Sequence, residues 1–233
     1  MSRVVRTAAL EPGTPQALDS TGDTMVGVPL ARRTRKRARP TRIGAVLEYA
    51  AMGWPVVPGA YPLRHGPRAC SCDRLGCPDP GAHPLSPAWH MQATTDTAQL
   101  TRWWRAEPEA NVILPTGRVF DVFDVPLALG LSALTRIDNA GADPGPVAAN
   151  GDRVLFYVAT RGNPEDEDEW WSCHLDCDPG TIEDTPGLRW HCRDSYVLAP
   201  PSNLPTGQPV SWLRPPNGRP LPDPLRILEW LAD

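Results

Sequence analysis

The segment Cys70-Ser71-Cys72-Asp73-Arg74-Leu75-Gly76-Cys77, closing at His83, constrains this chain more than any other. Three thiols and an imidazole sit in a stretch so rich in Gly, Pro, Asp and Arg that it has little to bury. Such a loop gains shape mainly by wrapping a cation. Zn²⁺ takes thiolate and imidazole ligands in a closed tetrahedron. Cys70, Cys72, Cys77 and His83 are therefore candidate ligands of a structural zinc, in a loop of about residues 64–84. The alternative is two disulfides or free thiols. The clustering favours metal, as does the lack of an apolar export signal, because a reducing cytosol keeps thiols unbridged.

The chain has 233 residues, room for one good-sized domain or two small ones. Its nine tryptophans can each bury much apolar area, while 29 prolines and 19 glycines predict short elements joined by long ordered loops. No run reaches the roughly 18 apolar residues of a membrane helix, so no membrane partner and a cytoplasmic location are expected. Charge is split. Arg32, Arg33, Arg35, Lys36, Arg37, Arg39 and Arg42 carry +7, so a net charge of −4 leaves −11 elsewhere. A basic arm over residues 1–40, expected to be disordered, offers a non-specific contact for DNA phosphates or serves only as a solubilising tail.

Beyond the arm, residues 41–233 read as one α+β domain. Thr41 predicts a helix cap, with Val46, Leu47, Ala50 and Ala51 on one face and Gly53 at the end. Residues 54–58 read as a strand. Asp96 predicts a second cap, for a helix through Leu100, Trp103 and Trp104 in which Trp103 continues the apolar face. Strands are expected at 111–114, 118–125, 153–159, 188–191, 196–199 and 210–213. Helices are expected at 127–139, through Leu127, Leu131, Leu134 and Ile137, and at 221–231.

Five segments carry a resemblance when taken in order: AVLEYAAMGWPVVPG, CSCDRLGCPDPGAHPL, ATTDTAQLTRWWRAEPEANVILPTG, FDVFDVP and YVLAPPSNLPTGQPVSW. Together, from about Ala45 to Trp212, they resemble the N-terminal domain of bifunctional DNA primase/polymerases of plasmids, phages and actinobacterial genomes. The resemblance implies an archaeo-eukaryotic primase/polymerase-like domain, an antiparallel sheet with flanking helices, plus the zinc-binding loop. It also implies template-directed nucleotidyl transfer through two divalent ions, Mg²⁺ or Mn²⁺, held by two acids one residue apart on a strand. Here Asp124 matches the first acid and Pro126 stands at the second. Asp121, three residues away, alternates onto the opposite face. The family's histidine position falls on Arg153, and its third acid on Arg189 or a near neighbour, with Asp194 a candidate substitute. Thr116-Gly117 matches a turn beside the nucleotide, and Ser202 a loop by the site.

Cys173, Cys177, His191 and Cys192 form a looser second cluster, either a metal site or buried thiols packed as small apolar groups. Trp170-Trp171 could stack bases, although packing is the simpler reading. The leading expectation is a primase/polymerase-like protein with impaired catalysis. It would bind nucleotide or nucleic acid through Thr116, Gly117, Arg153, Ser202 and the arm residues Arg32, Arg33, Arg35, Lys36 and Arg37, in replication or mobile-element maintenance. The alternatives are an active primase/polymerase, with Asp124 and Asp194 as its carboxylates, and a zinc-stabilised protein-interaction module. The sequence holds no Gly-x₄-Gly-Lys-Ser/Thr loop, so a helicase or other replication partner is expected to be a separate protein.

Overall fold

The computed structural model describes residues 41–63, 69–72, 74–160 and 187–232, all within the second of two compact units, Arg39–Asp233. The arm residues Arg32, Arg33, Arg35, Lys36 and Arg37 lie outside the described residues, as do Trp170, Trp171, Cys173 and Cys177.

The first helix, α1 (Arg42–Ala51), starts where Thr41 accepts a hydrogen bond from the Gly44 amide, as its sequence predicts. After β1 (Val57–Gly59) and the cysteine loop come α2 (Trp89–Gln92) and α3 (Thr97–Ala106). Asp96 caps α3 through the Ala98 and Gln99 amides at 2.8 and 3.3 Å. Trp104, one turn after Leu100, is the residue of α3 that joins it in the core. Trp103, expected to continue the apolar face, is half-buried and packs against the same core.

Next come β2 (Asn111–Pro115), β3 (Phe120–Pro126), α4 (Leu127–Asn139), β4 (Val147–Asn150) and β5 (Arg153–Ala159). The described chain ends with β6 (Arg189–His191), β7 (Tyr196–Ala199), β8 (Ser211–Arg214) and α5 (Pro224–Ala232). Strand β4 and helix α2 have too short a signal to be read from sequence. Helix α4 has the expected bounds but a different buried face. Gly130, Ala133, Leu134 and Ile137 face inward, whereas Leu127 and Leu131 are exposed. Gly130 decides the rotation: a β-carbon there would lie 2.5 Å from Val154 Cβ, so the helix sits closer to the sheet than any side chain would allow.

Two antiparallel sheets result, β1-β2-β7 and β6-β3-β5-β4-β8. Alternation along β3 and β5 gives the larger sheet two apolar faces. Phe123, Val125, Val154, Phe156 and Trp190 pack under α4 and α5. Phe120, Val122, Leu155 and Tyr157 pack against α1, α3 and the smaller sheet. Trp54 centres this second core, stacked on Tyr49 and Tyr157 at centroid separations of 6.0 and 5.6 Å. Such ring pairs add about 0.5–1.5 kcal/mol each beyond the area they bury. Sheets and helices thus form the mixed, mainly antiparallel architecture that the sequence implies. No helix among the described residues is long and apolar enough to cross a membrane.

Candidate functional site

Strand β3 lies between β5 and β6, so its side chains have neighbours on both sides. The register sets Asp124 opposite Leu155 on β5 and Arg189 on β6, and Pro126 opposite Arg153. Asp124, Pro126, Arg153 and Arg189, the positions expected from the sequence to align with the family's catalytic residues, therefore meet at one end of the sheet. Asp121 falls on the other face by alternation and is buried there.

Asp124 is 6% exposed, and a carboxylate this buried needs partners. Arg153 is the main one. Its Nε donates to Asp124 Oδ1 at 2.6 Å, while its terminal nitrogen donates to the Asp124 carbonyl at 2.8 Å and the Gly187 carbonyl at 2.7 Å. The other carboxylate oxygen faces His191 Nε2 at 3.4 Å and Arg189 at 4.0 Å. His191 is oriented by Ser195, whose hydroxyl lies 3.0 Å from Nδ1. The arginines differ in freedom: the Arg153 side chain is 17% exposed and that of Arg189 46%. All three side chains approach Asp124 through nitrogen.

The other sequence-predicted residues lie elsewhere. Asp194, in the turn after β6, has a side chain 77% exposed and pairs with Arg193 at 3.9 Å. With Trp89, His90, Thr116, Gly117, Arg118 and Arg193 it lines a separate pocket of about 240 Å³. The alternative pairing of Asp194 with Asp124 is not what the geometry shows, since among the described residues the charged or titratable side chains approaching Asp124 are Arg153, Arg189 and His191. Thr116 is buried, and its hydroxyl donates to the Cys192 carbonyl. Gly117 is dictated by both backbone and space: its φ is +80°, and a β-carbon would stand 2.3 Å from Arg193 Cα. Ser202 is fully buried. Its hydroxyl accepts from the Val112 amide at 2.9 Å and donates to the Ala199 carbonyl at 2.7 Å, so it fastens the loop to β2 rather than facing a ligand. Of the second cysteine cluster, His191 faces Asp124 whereas Cys192 is buried among apolar side chains under α4 and α5. Arg42, counted above with the basic arm, belongs to α1 and bonds the Pro201 carbonyl at 3.2 Å and Glu109 at 2.8 Å.

The cysteine loop forms a second centre. The donor atoms of Cys70, Cys72, Cys77 and His83 lie within 4.8 Å of one another, placed to hold a metal ion. Among the described residues no other group of three or more His, Cys, Asp or Glu is so placed. Cys70, Cys72 and Cys77 are free, not bridged. His83 Nδ1 lies 2.9 Å from the Pro84 carbonyl, a bond only an N–H can make, which leaves the Nε2 lone pair facing the thiols. Cys70 and Cys77 Sγ are 3.5 and 3.3 Å from that nitrogen. The Arg74 amide holds the Cys72 thiol down to about 7, whereas desolvation pushes Cys77 up to about 11.

Asn111 ties this loop to the body. Fully buried, it donates to the carbonyls of Gly81 at 2.8 Å and Asn203 at 2.9 Å, and accepts from the Asn203 amide at 2.9 Å. Sequence reasoning missed both Asn111 and the approach of His191 to Asp124. The β-alternation of Arg189 and His191 was the only signal for the second, and it needs the β3–β6 register to be used.

A model of the family described as bifunctional DNA primase/polymerase, N-terminal, matches residues 46–225. No curated protein matches the chain significantly.

Proposed function

This chain belongs to the bifunctional DNA primase/polymerase family, matching its N-terminal domain, and we propose that here the fold binds nucleotide or nucleic acid without polymerising it. One observation carries this reading: Asp124 is held by Arg153 at 2.6 Å, while Pro126 stands where a second acid would complete the pair. Two-ion transfer needs oxygen ligands converging on the cations. Proline has none to give, and a guanidinium on the remaining carboxylate repels a divalent ion. The residues present therefore do not fit the pair of Mg²⁺ or Mn²⁺ ions that family chemistry would employ.

Zinc is the metal we assign to the cysteine loop. Bond lengths of about 2.3 Å to sulfur and about 2.0 Å to nitrogen give a tetrahedral S···N edge of about 3.5 Å. The separations of 3.5 and 3.3 Å lie close to that edge. Four protein ligands leave no open position, so the ion would serve structure. The arm over residues 1–40, with six arginines and lysines from Arg32 to Arg39, would add a salt-dependent contact to DNA. A place in replication or mobile-element maintenance accords with the family.

The test is primer synthesis and primer extension with Mg²⁺ or Mn²⁺, alongside DNA and nucleotide binding by the full chain. Binding without synthesis is expected. Synthesis that Asp124→Ala abolishes would overturn the reading.

A further inference from the structure

We infer that the Asp124 centre has been converted from a cation site into a metal-independent anion site, one that takes the phosphate chain of a nucleotide or a free polyphosphate directly on Arg189. This rests on the reading that polymerase catalysis is lost, and it adds the ligand chemistry and the role of Asp124.

The local charge balance supplies the reason. Arg153 is committed to Asp124 and to the Asp124 and Gly187 carbonyls, so these two residues cancel. Arg189 remains, only 4.0 Å from the carboxylate and with a side chain 46% exposed. His191 stands beside it, its Nε2 directed at the same carboxylate oxygen. Among the described residues of this centre the balance is thus positive, and the exposed part of it is the Arg189 side chain, in a chain whose charge outside the seven arm-side cations is −11. Guanidinium groups bind phosphate in two-pronged fashion and need no bridging metal.

Asp124 is here an internal counter-ion: it orients the basic groups and competes with the ligand for them. Its expected effect is thus opposite in sign to that of a metal-holding carboxylate. In a two-ion site, removing the charge weakens nucleotide binding. Here, removing it frees Arg189 and strengthens binding.

The experiment is calorimetric titration of the full chain with inorganic triphosphate and with dATP, in buffer without added Mg²⁺ and in excess Mg²⁺. Binding without Mg²⁺ is expected, weaker when Mg²⁺ neutralises the ligand. Arg189→Gln should lose about tenfold or more in affinity, as expected for a charged hydrogen bond. Arg189→Lys should recover only part of the loss. Asp124→Asn, which keeps an oxygen for Arg153, should gain about threefold or more. Tighter binding of dATP than of triphosphate would identify a nucleotide as the source, and equal binding a free polyphosphate.

Binding that requires Mg²⁺ overturns the inference, and so does an affinity unchanged by Arg189→Gln, which would put the anion elsewhere, the basic arm included. Loss of binding in a folded Asp124→Asn protein overturns it too. Should Asp124→Asn fail to fold in a thermal melt, the Arg189 pair still decides. No triphosphate binding, together with no primer synthesis, sinks this inference alone; synthesis sinks the reading beneath it.

Discussion

Replacing Arg153 by methionine should destabilise the protein far more than replacing Arg189 by glutamine, although both arginines face the same carboxylate. Methionine keeps most of the aliphatic stem and removes the charge. It leaves Asp124 buried at 6% exposure without its 2.6 Å partner, and it deprives the Asp124 and Gly187 carbonyls of a donor. Breaking a buried pair in this way costs about 3–5 kcal/mol. The Arg189 contact, at 4.0 Å with the arginine side chain 46% exposed, is worth about 0–1 kcal/mol. With a urea slope of about 2 kcal/mol/M, Arg153→Met should lower the unfolding midpoint by about 1.5–2.5 M and Arg189→Gln by under about 0.5 M. Urea titration followed by tryptophan fluorescence measures both. Removing the stranded charge as well, in Asp124→Leu/Arg153→Met, should recover most of the loss. Equal midpoints for the two single variants, or a loss below about 1 kcal/mol for Arg153→Met, would refute the claim that Asp124 exists to be neutralised by Arg153. A rise in wild-type stability with millimolar Mg²⁺ would refute it as well.

Cys77→Ser should reduce bound zinc from about one equivalent towards none, by elemental analysis of the purified protein, since three ligands hold Zn²⁺ less firmly than four. Asn111→Ala should cost about 2–4 kcal/mol and raise amide exchange in the cysteine loop, because the Gly81 and Asn203 carbonyls and the Asn203 amide all lose a buried partner. Pro126→Asp alone should restore no primer extension, since Arg153 still occupies Asp124; synthesis by that variant would show that the guanidinium is no obstacle.

Much of the fold was legible because several signals are local. The side chains of Thr41 and Asp96 reach only their own helices, so capping chemistry marked α1 and α3 directly. The span of α4 was equally plain, but its orientation was not. Leu127 and Leu131 have the apolar character of a core face, yet they point outward because Gly130 lets the helix approach Val154 along a different stripe. Hydrophobic spacing reports that a helix has a face; the neighbouring sheet decides which face is covered.

The sequence alone marked Cys70, Cys72, Cys77 and His83 as donors that could share one metal ion, because all four lie on one short stretch of chain. It also showed that Pro126, two residues after Asp124 on the same strand face, offers no oxygen ligand from its side chain, since that is a matter of composition at one position. Only the tertiary structure decided what surrounds Asp124. Arg153 and Arg189 are 29 and 65 residues from Asp124 and reach it from opposite sides of one strand. Strand register is a long-range property, set by the packing of both sheet faces, and no local pattern could show that Asp124 lies among Arg153, Arg189 and His191.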